Sequence, residues 1–135
     1  MDALAKSARV LAVDDQRAFR VVVRELVDRT NELVLVAEAD CGERAVALAQ
    51  ELEPDMVLMD IRMPGSGGIA AANAIKERNP STVVVLVSTT RPDDLPPEVD
   101  GCLADEVLWK TDLRPRLLDE IWERHRGQRA TKARV

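Results

Sequence analysis

Three carboxylates, two hydroxyls and one ammonium stand directly after apolar runs in this 135-residue chain. Asp14 and Asp15 follow VLAV, Asp60 follows MVLM, Ser88 and Thr89 follow VVVLV, and Lys110 follows EVLW. Each alone is ordinary: Asp after a strand is a common turn residue, and a single Lys is most often surface. Gathered at one place they would be costly. Two like charges about 4 Å apart repel by about 4 kcal/mol at an effective dielectric of about 20, so such a cluster protonates or takes up a cation. Oxygen ligands without His or Cys suit a hard ion, and Mg²⁺ held by carboxylates keeps positions for phosphate oxygens. A Lys to pair with a phosphate oxygen and a hydroxyl to donate to one complete a set suited to phosphoryl transfer, where catalysis is mostly positioning and charge neutralisation. The nucleophile would be a carboxylate, giving an aspartyl phosphate.

Whether these groups meet depends on the elements that carry them. Short apolar runs at Val10–Val13, Leu33–Ala37, Met56–Met59, Val83–Val87 and Val107–Leu108 alternate with helical patterns. Phe19, Val22, Val23, Leu26 and Val27 recur at helical spacing and predict one buried face. Asp40 with Glu43 three residues on predicts a capping box ahead of Ala45, Leu48, Ala49 and Leu52. A third helix is expected from near Gly68, with Ile69, Ala72 and Ile75, ending before Pro80. A last helix carries Leu113, Leu117, Leu118, Ile121 and Trp122, with Pro115 in its first turn, where a missing N–H costs little. Between Ser88 and Lys110, Pro92, Pro96, Pro97 and Gly101 oppose a regular helix; a short one from near Pro97, or an irregular one, is expected. Alternation of this kind predicts an α/β fold, an open doubly wound parallel sheet of five strands covered on both faces. In such sheets ligands bind beyond the carboxyl ends of the strands, where all the reactive groups fall.

Composition bounds the alternatives. Phe19, Trp109 and Trp122 are the only aromatics, which argues against an aromatic-lined site for bases or sugars. The formal net charge of −5 argues against nucleic-acid binding by the chain as a whole, although Arg124, His125, Arg126, Arg129, Lys132 and Arg134 leave the last residues basic. No apolar run approaches the roughly 18 residues of a membrane span, and no signal peptide is legible, so a cytoplasmic protein is expected. Cys41 and Cys102 lack metal-ligand spacing and read as reduced thiols. His125, on the last helix, reads as solvated or as complementing the helix dipole. Trp109 and Trp122 read as partly buried packing residues.

The segments LAVDDQ, EADCGERA, PDMVLMDIRMPGSGG, VVVLVST and EVLWK, in that order and spacing, resemble the receiver domains of bacterial response regulators over roughly residues 8 to 125. Among receivers the likeness is greatest to those of helix-turn-helix transcriptional regulators. The resemblance implies a flavodoxin-like (βα)5 fold with strand order 2-1-3-4-5. It implies that Asp60 is the phospho-acceptor, that Asp14, Asp15, Asp60 and the backbone carbonyl of Arg62 hold Mg²⁺, and that Ser88 and Lys110 contact the phosphoryl oxygens. The expected donor is a sensor histidine kinase, and the domain is expected to catalyse only its own phosphorylation rather than to act as an enzyme. A homodimer is a candidate assembly, and DNA would be reached only through an output domain. Residues 1–126 read as the receiver and 127–135 as a basic tail or the start of a linker.

Three positions depart from the family pattern. Val107, three residues before Lys110, stands where an aromatic usually moves with Ser88 on activation. Thr89 stands where a small residue is common, and Thr111–Asp112 replace a proline after the lysine. All lie on the side that reports phosphorylation. They keep open a receiver-like interaction module that works without phosphate. A phosphatase of the haloacid-dehalogenase type would need a second Asp two residues after the nucleophile, where this chain has Arg62.

Overall fold

The computed structural model describes residues 6–133, with the side chains of Pro92 and of 127–133 outside that description. Five strands form one parallel sheet in the order β2-β1-β3-β4-β5. They are β1 (Ala8–Val13), β2 (Leu33–Ala39), β3 (Met56–Asp60), β4 (Val83–Ser88) and β5 (Glu106–Trp109). The α-helices are α1 (Arg17–Asp28), α2 (Gly42–Leu52), α3 (Gly67–Arg78) and α4 (Pro115–Ala133). The expected doubly wound α/β architecture, strand order and flavodoxin-like receiver topology are all present.

Two apolar layers flank the sheet. Val10, Ala12, Leu58, Val85 and Val87 face one way, onto Val23 and Val27 of α1 and Leu118, Ile121 and Trp122 of α4. Leu11, Val13, Val57, Met59, Val84 and Leu86 face the other, onto Ala45 of α2 and Ala71, Ala72 and Ile75 of α3. Continuous apolar runs are what strands covered on both faces require. β3 and β4 are buried along their whole length, which fixes the central strand ends that carry Asp60 and Ser88.

Several local expectations are corrected. Val22 is 45% exposed and lies off the buried face of α1. The residue capping α2 is Cys41, not Asp40, and no side chain caps that end. Glu43 instead accepts a hydrogen bond from the Ser66 N–H at 3.2 Å, across to the loop after β3. Leu113 precedes α4 rather than belonging to it, because Lys110–Asp112 forms a short 3₁₀ turn first. His125 is not solvated: it is 7% exposed, with Nε2 2.8 Å from Glu106 Oε2. This contact ties α4 to the start of β5.

Between β4 and β5 the described residues form no α-helix, only 3₁₀ turns at Pro92–Asp94 and Pro97–Val99, in keeping with the irregular helix the prolines predict. Return to the sheet is secured by a buried ion pair instead. Lys76 Nζ is 2.8 Å from Asp105 Oδ2 and donates to the carbonyls of Pro80 and Thr82, both at 2.8 Å. Asp105 also accepts the Val84 N–H at 2.8 Å. α4 runs on across residue 126 to Ala133; the basic side chains expected in the tail, among them Arg129, Lys132 and Arg134, lie outside the described ones.

Candidate functional site

β1 and β3 are neighbours in the sheet, with Val13 opposite Met59, so the residues that follow them emerge side by side. Carboxylate oxygens of Asp14, Asp15 and Asp60 all lie within 4.8 Å of one another. Asp14 and Asp60 are buried at 1% and 7% exposure, whereas Asp15 is exposed. From the far side of β4, Lys110 brings Nζ to 2.7 Å from Asp14 Oδ2 and 3.7 Å from Asp60 Oδ2. Four groups separated by up to 96 positions in the chain thus converge at one rim.

Backbone and side-chain bonds hold each acid in place. Asp14 donates its N–H to Ala39 at 3.1 Å, and its Oδ1 accepts the Gln16 N–H at 2.8 Å, closing the turn that leads into α1. Arg20 Nη1 donates to the Asp14 carbonyl at 2.7 Å while Arg20 Nε pairs with Glu38 at 3.1 Å. Asp60 closes β3, opposite Val87 of β4, and the Ile61 N–H bonds the Val87 carbonyl at 2.9 Å. The Arg62 N–H approaches Asp60 Oδ1 at 3.4 Å; the Arg62 side chain is exposed. Ser88 is 2% exposed at the end of β4, its Oγ accepting the Thr90 N–H at 2.9 Å. Val107 packs with the apolar cluster facing α3 and pairs with Leu86 in the sheet.

Burial raises the Asp60 carboxyl above the ordinary aspartate range; Lys110 pulls it down, while Asp14 and Asp15 push it further up. The site therefore holds more negative charge than Lys110 balances. An all-oxygen cluster with that surplus fits a hard divalent cation.

Sequence reading missed two members. Phe19 counted only as a core residue, yet its ring centre is 4.0 Å from Lys110 Nζ, a distance at which the aromatic face attracts a cation. Arg20 drew no notice, yet it holds the Asp14 carbonyl. Both lie in the first turn and a half after the Asp pair, at the start of α1, and this closeness was the available signal.

The profile of the response regulator receiver domain matches residues 10–121. The chain belongs to the response regulator receiver family. This receiver is 40% identical over 88 residues to the response regulator GacA of Pseudomonas aeruginosa, a match covering 65% of the chain and 41% of that protein. It is 30% identical to the transcriptional regulatory protein YdfI of Bacillus subtilis, covering 90% of the chain and 67% of that protein. The chain therefore spans about two fifths of the first relative and two thirds of the second. Among solved structures, it resembles the response regulator domain of Thermotoga maritima CheB with TM-score 0.76 and 31% identity, over 90% of this chain and 97% of that one. The receiver thus belongs to two-component signalling, and the second of these relatives is by name a transcriptional regulator. Among the described residues no helix is long and apolar enough to cross a membrane.

Proposed function

We propose that this receiver takes a phosphoryl group onto Asp60 from the phosphohistidine of a sensor histidine kinase, in a Mg²⁺-dependent reaction. The convergence of Asp14, Asp15, Asp60 and Lys110 at one rim carries this reading. An Asp60 carboxylate oxygen attacks phosphorus as the phosphorus–nitrogen bond to the donor imidazole breaks. Asp14, Asp15, Asp60 and the Arg62 carbonyl would hold Mg²⁺, which supplies positive charge beside the transferring phosphoryl oxygens. Lys110 leaves Asp14 for one of those oxygens, and Ser88 donates its hydroxyl to another.

The chain promotes its own modification and is a signalling domain rather than an enzyme. Residues 1–126 would form the receiver, with 127–135 leading out of it, in the cytoplasm. Phosphorylation would change its contacts with a second copy or with an output domain that reaches DNA. Mass spectrometry after exposure to acetyl phosphate and Mg²⁺ tests the acceptor: a phosphoryl adduct on the native chain and none on Asp60→Asn. An equal adduct on the variant moves the acceptor elsewhere. The aliphatic Val107 favours one competitor, a module that binds its partner without phosphate. Partner binding unchanged by beryllofluoride would favour that module.

A further inference from the structure

Among the described residues the segment that follows Ser88 has no α-helix to anchor it, and at its very start the Trp109 side chain holds it. Ser88 pairs with Trp109 across the β4–β5 ladder. The Trp109 indole Nε1 donates to the carbonyl of Thr89, the next residue, at 3.2 Å. Arg91 lays its guanidinium over the same indole, 5.9 Å from the ring centre, within the range of cation–π attraction. The Ser88 Oγ is itself tied to the Thr90 N–H. Residues 88–91 therefore form a short bridge held to β5 by one tryptophan. Its first residue is a buried hydroxyl at the reactive rim, and its last is an exposed arginine.

Trp109 ends β5 and directly precedes Lys110, so two consecutive residues supply the clasp on the hydroxyl loop and the cation at the acids. A shift of Ser88–Thr89 relative to Trp109–Lys110 would strain or relax the bond between the Trp109 indole and the Thr89 carbonyl. Val107, two residues back, is aliphatic and offers no hydrogen bond.

We infer that Trp109 is a positioning residue that holds the Ser88–Thr89 rim for the phosphoryl group and passes movement of that rim to Arg91 and the surface beyond. The inference rests on the proposed phosphoryl chemistry. It concerns a residue that touches no phosphate itself.

Incorporating 5-fluorotryptophan into the full chain gives two ¹⁹F resonances, one for each Trp, assigned with Trp109→Phe. Titration with Mg²⁺ and beryllofluoride, followed also through the ¹⁹F signal of the bound fluoride, separates ligand binding from its transmission. The Trp109 resonance is expected to shift on saturation, while that of Trp122, buried against α1 and the sheet, moves far less. Arg91→Ala should change the Trp109 shift in the free protein and leave beryllofluoride affinity within about twofold. Trp109→Phe keeps a ring but loses the N–H, and should weaken beryllofluoride binding roughly two- to tenfold, the worth of one hydrogen bond, with the midpoint of urea unfolding monitored alongside.

Bound fluoride with a stationary Trp109 resonance would overturn the inference and leave the phosphoryl reading intact. Unchanged affinity in Trp109→Phe would do the same. Absence of bound fluoride at any concentration would remove both.

Discussion

Lys110 Nζ lies 2.7 Å from Asp14 Oδ2, a carboxylate whose side chain is 2% exposed. In the free domain this ammonium stands among the acids proposed to hold a divalent ion. The Phe19 ring backs it on another side.

Replacing Lys110 by Met should therefore have opposite effects on two measurements. Breaking a buried pair by removing one partner costs about 3–5 kcal/mol, so urea unfolding without metal should show a loss near the lower figure, since the acids can protonate. Mg²⁺ should bind more tightly by about tenfold or more, because a unit positive charge within ~5 Å no longer opposes the ion. Calorimetric titration reads the affinity directly. Weaker Mg²⁺ binding in the variant would show that Lys110 organises the acids rather than competing for them.

The Asp60 carboxyl is raised above the ordinary aspartate range, by burial first and by its acidic neighbours after. A raised folded value means the native state binds the proton more tightly than the unfolded chain does. The stability this group contributes is present below the unfolded value and lost as pH rises through the folded one. Asp60→Asn removes that loss. The metal-free variant should be more stable than the parent at about pH 7, and the gap should close as pH falls toward the ordinary aspartate value of about 3.9. Urea midpoints across that range check both the sign and the convergence.

The fold was legible because short apolar runs such as VVVLV alternate with helical patterns, and that alternation is what a parallel sheet covered on both faces requires. The site was legible because its acids sit immediately past those runs. Its supports were not. Glu43 reads as half of a capping box, but its carboxylate is taken by the Ser66 N–H instead. His125 reads as a terminal helix residue, yet α4 continues past it and Glu106 lies beneath. Lys76 and Asp105 are 29 positions apart, and no local pattern marks a pair made between the end of a helix and the approach to an edge strand. The proline cluster predicts a short or irregular helix, where only 3₁₀ turns form among the described residues, and could not say what secures the segment.

Lys76 offers a direct measure of that replacement. Its side chain is 9% exposed, and its ammonium meets one carboxylate and two carbonyls. Lys76→Met strands the largely buried Asp105 carboxylate and should lower stability by about 3 kcal/mol. Lys76→Met with Asp105→Leu should recover only part of this, because the Val84 N–H still loses its acceptor. Urea unfolding of the four proteins of the cycle gives the coupling. Full recovery in the double variant would make the pair replaceable by apolar packing.

At Gly68 the start of α3 and the end of β3 are in direct backbone contact. A Cβ built there would lie 2.1 Å from the Asp60 carbonyl oxygen and 2.9 Å from Ile61 Cα. Both neighbours are main chain, so no side chain can swing aside. The Gly68 N–H also donates to the Ile61 carbonyl at 2.9 Å, pinning the start of α3 to the residue after Asp60. Overpacking a core typically costs 1–3 kcal/mol, and a clash between two backbones falls at or above the top of that range. Gly68→Ala should lose about 3 kcal/mol in urea unfolding. The only relief is to push the start of α3 away from Asp60, so the protein that remains folded should also bind Mg²⁺ and beryllofluoride more weakly. Gly101→Ala provides the control, since nothing lies within 4 Å of a Cβ there. Equal stability losses at the two glycines would mean that backbone freedom, not the close approach to Asp60, sets the requirement at 68.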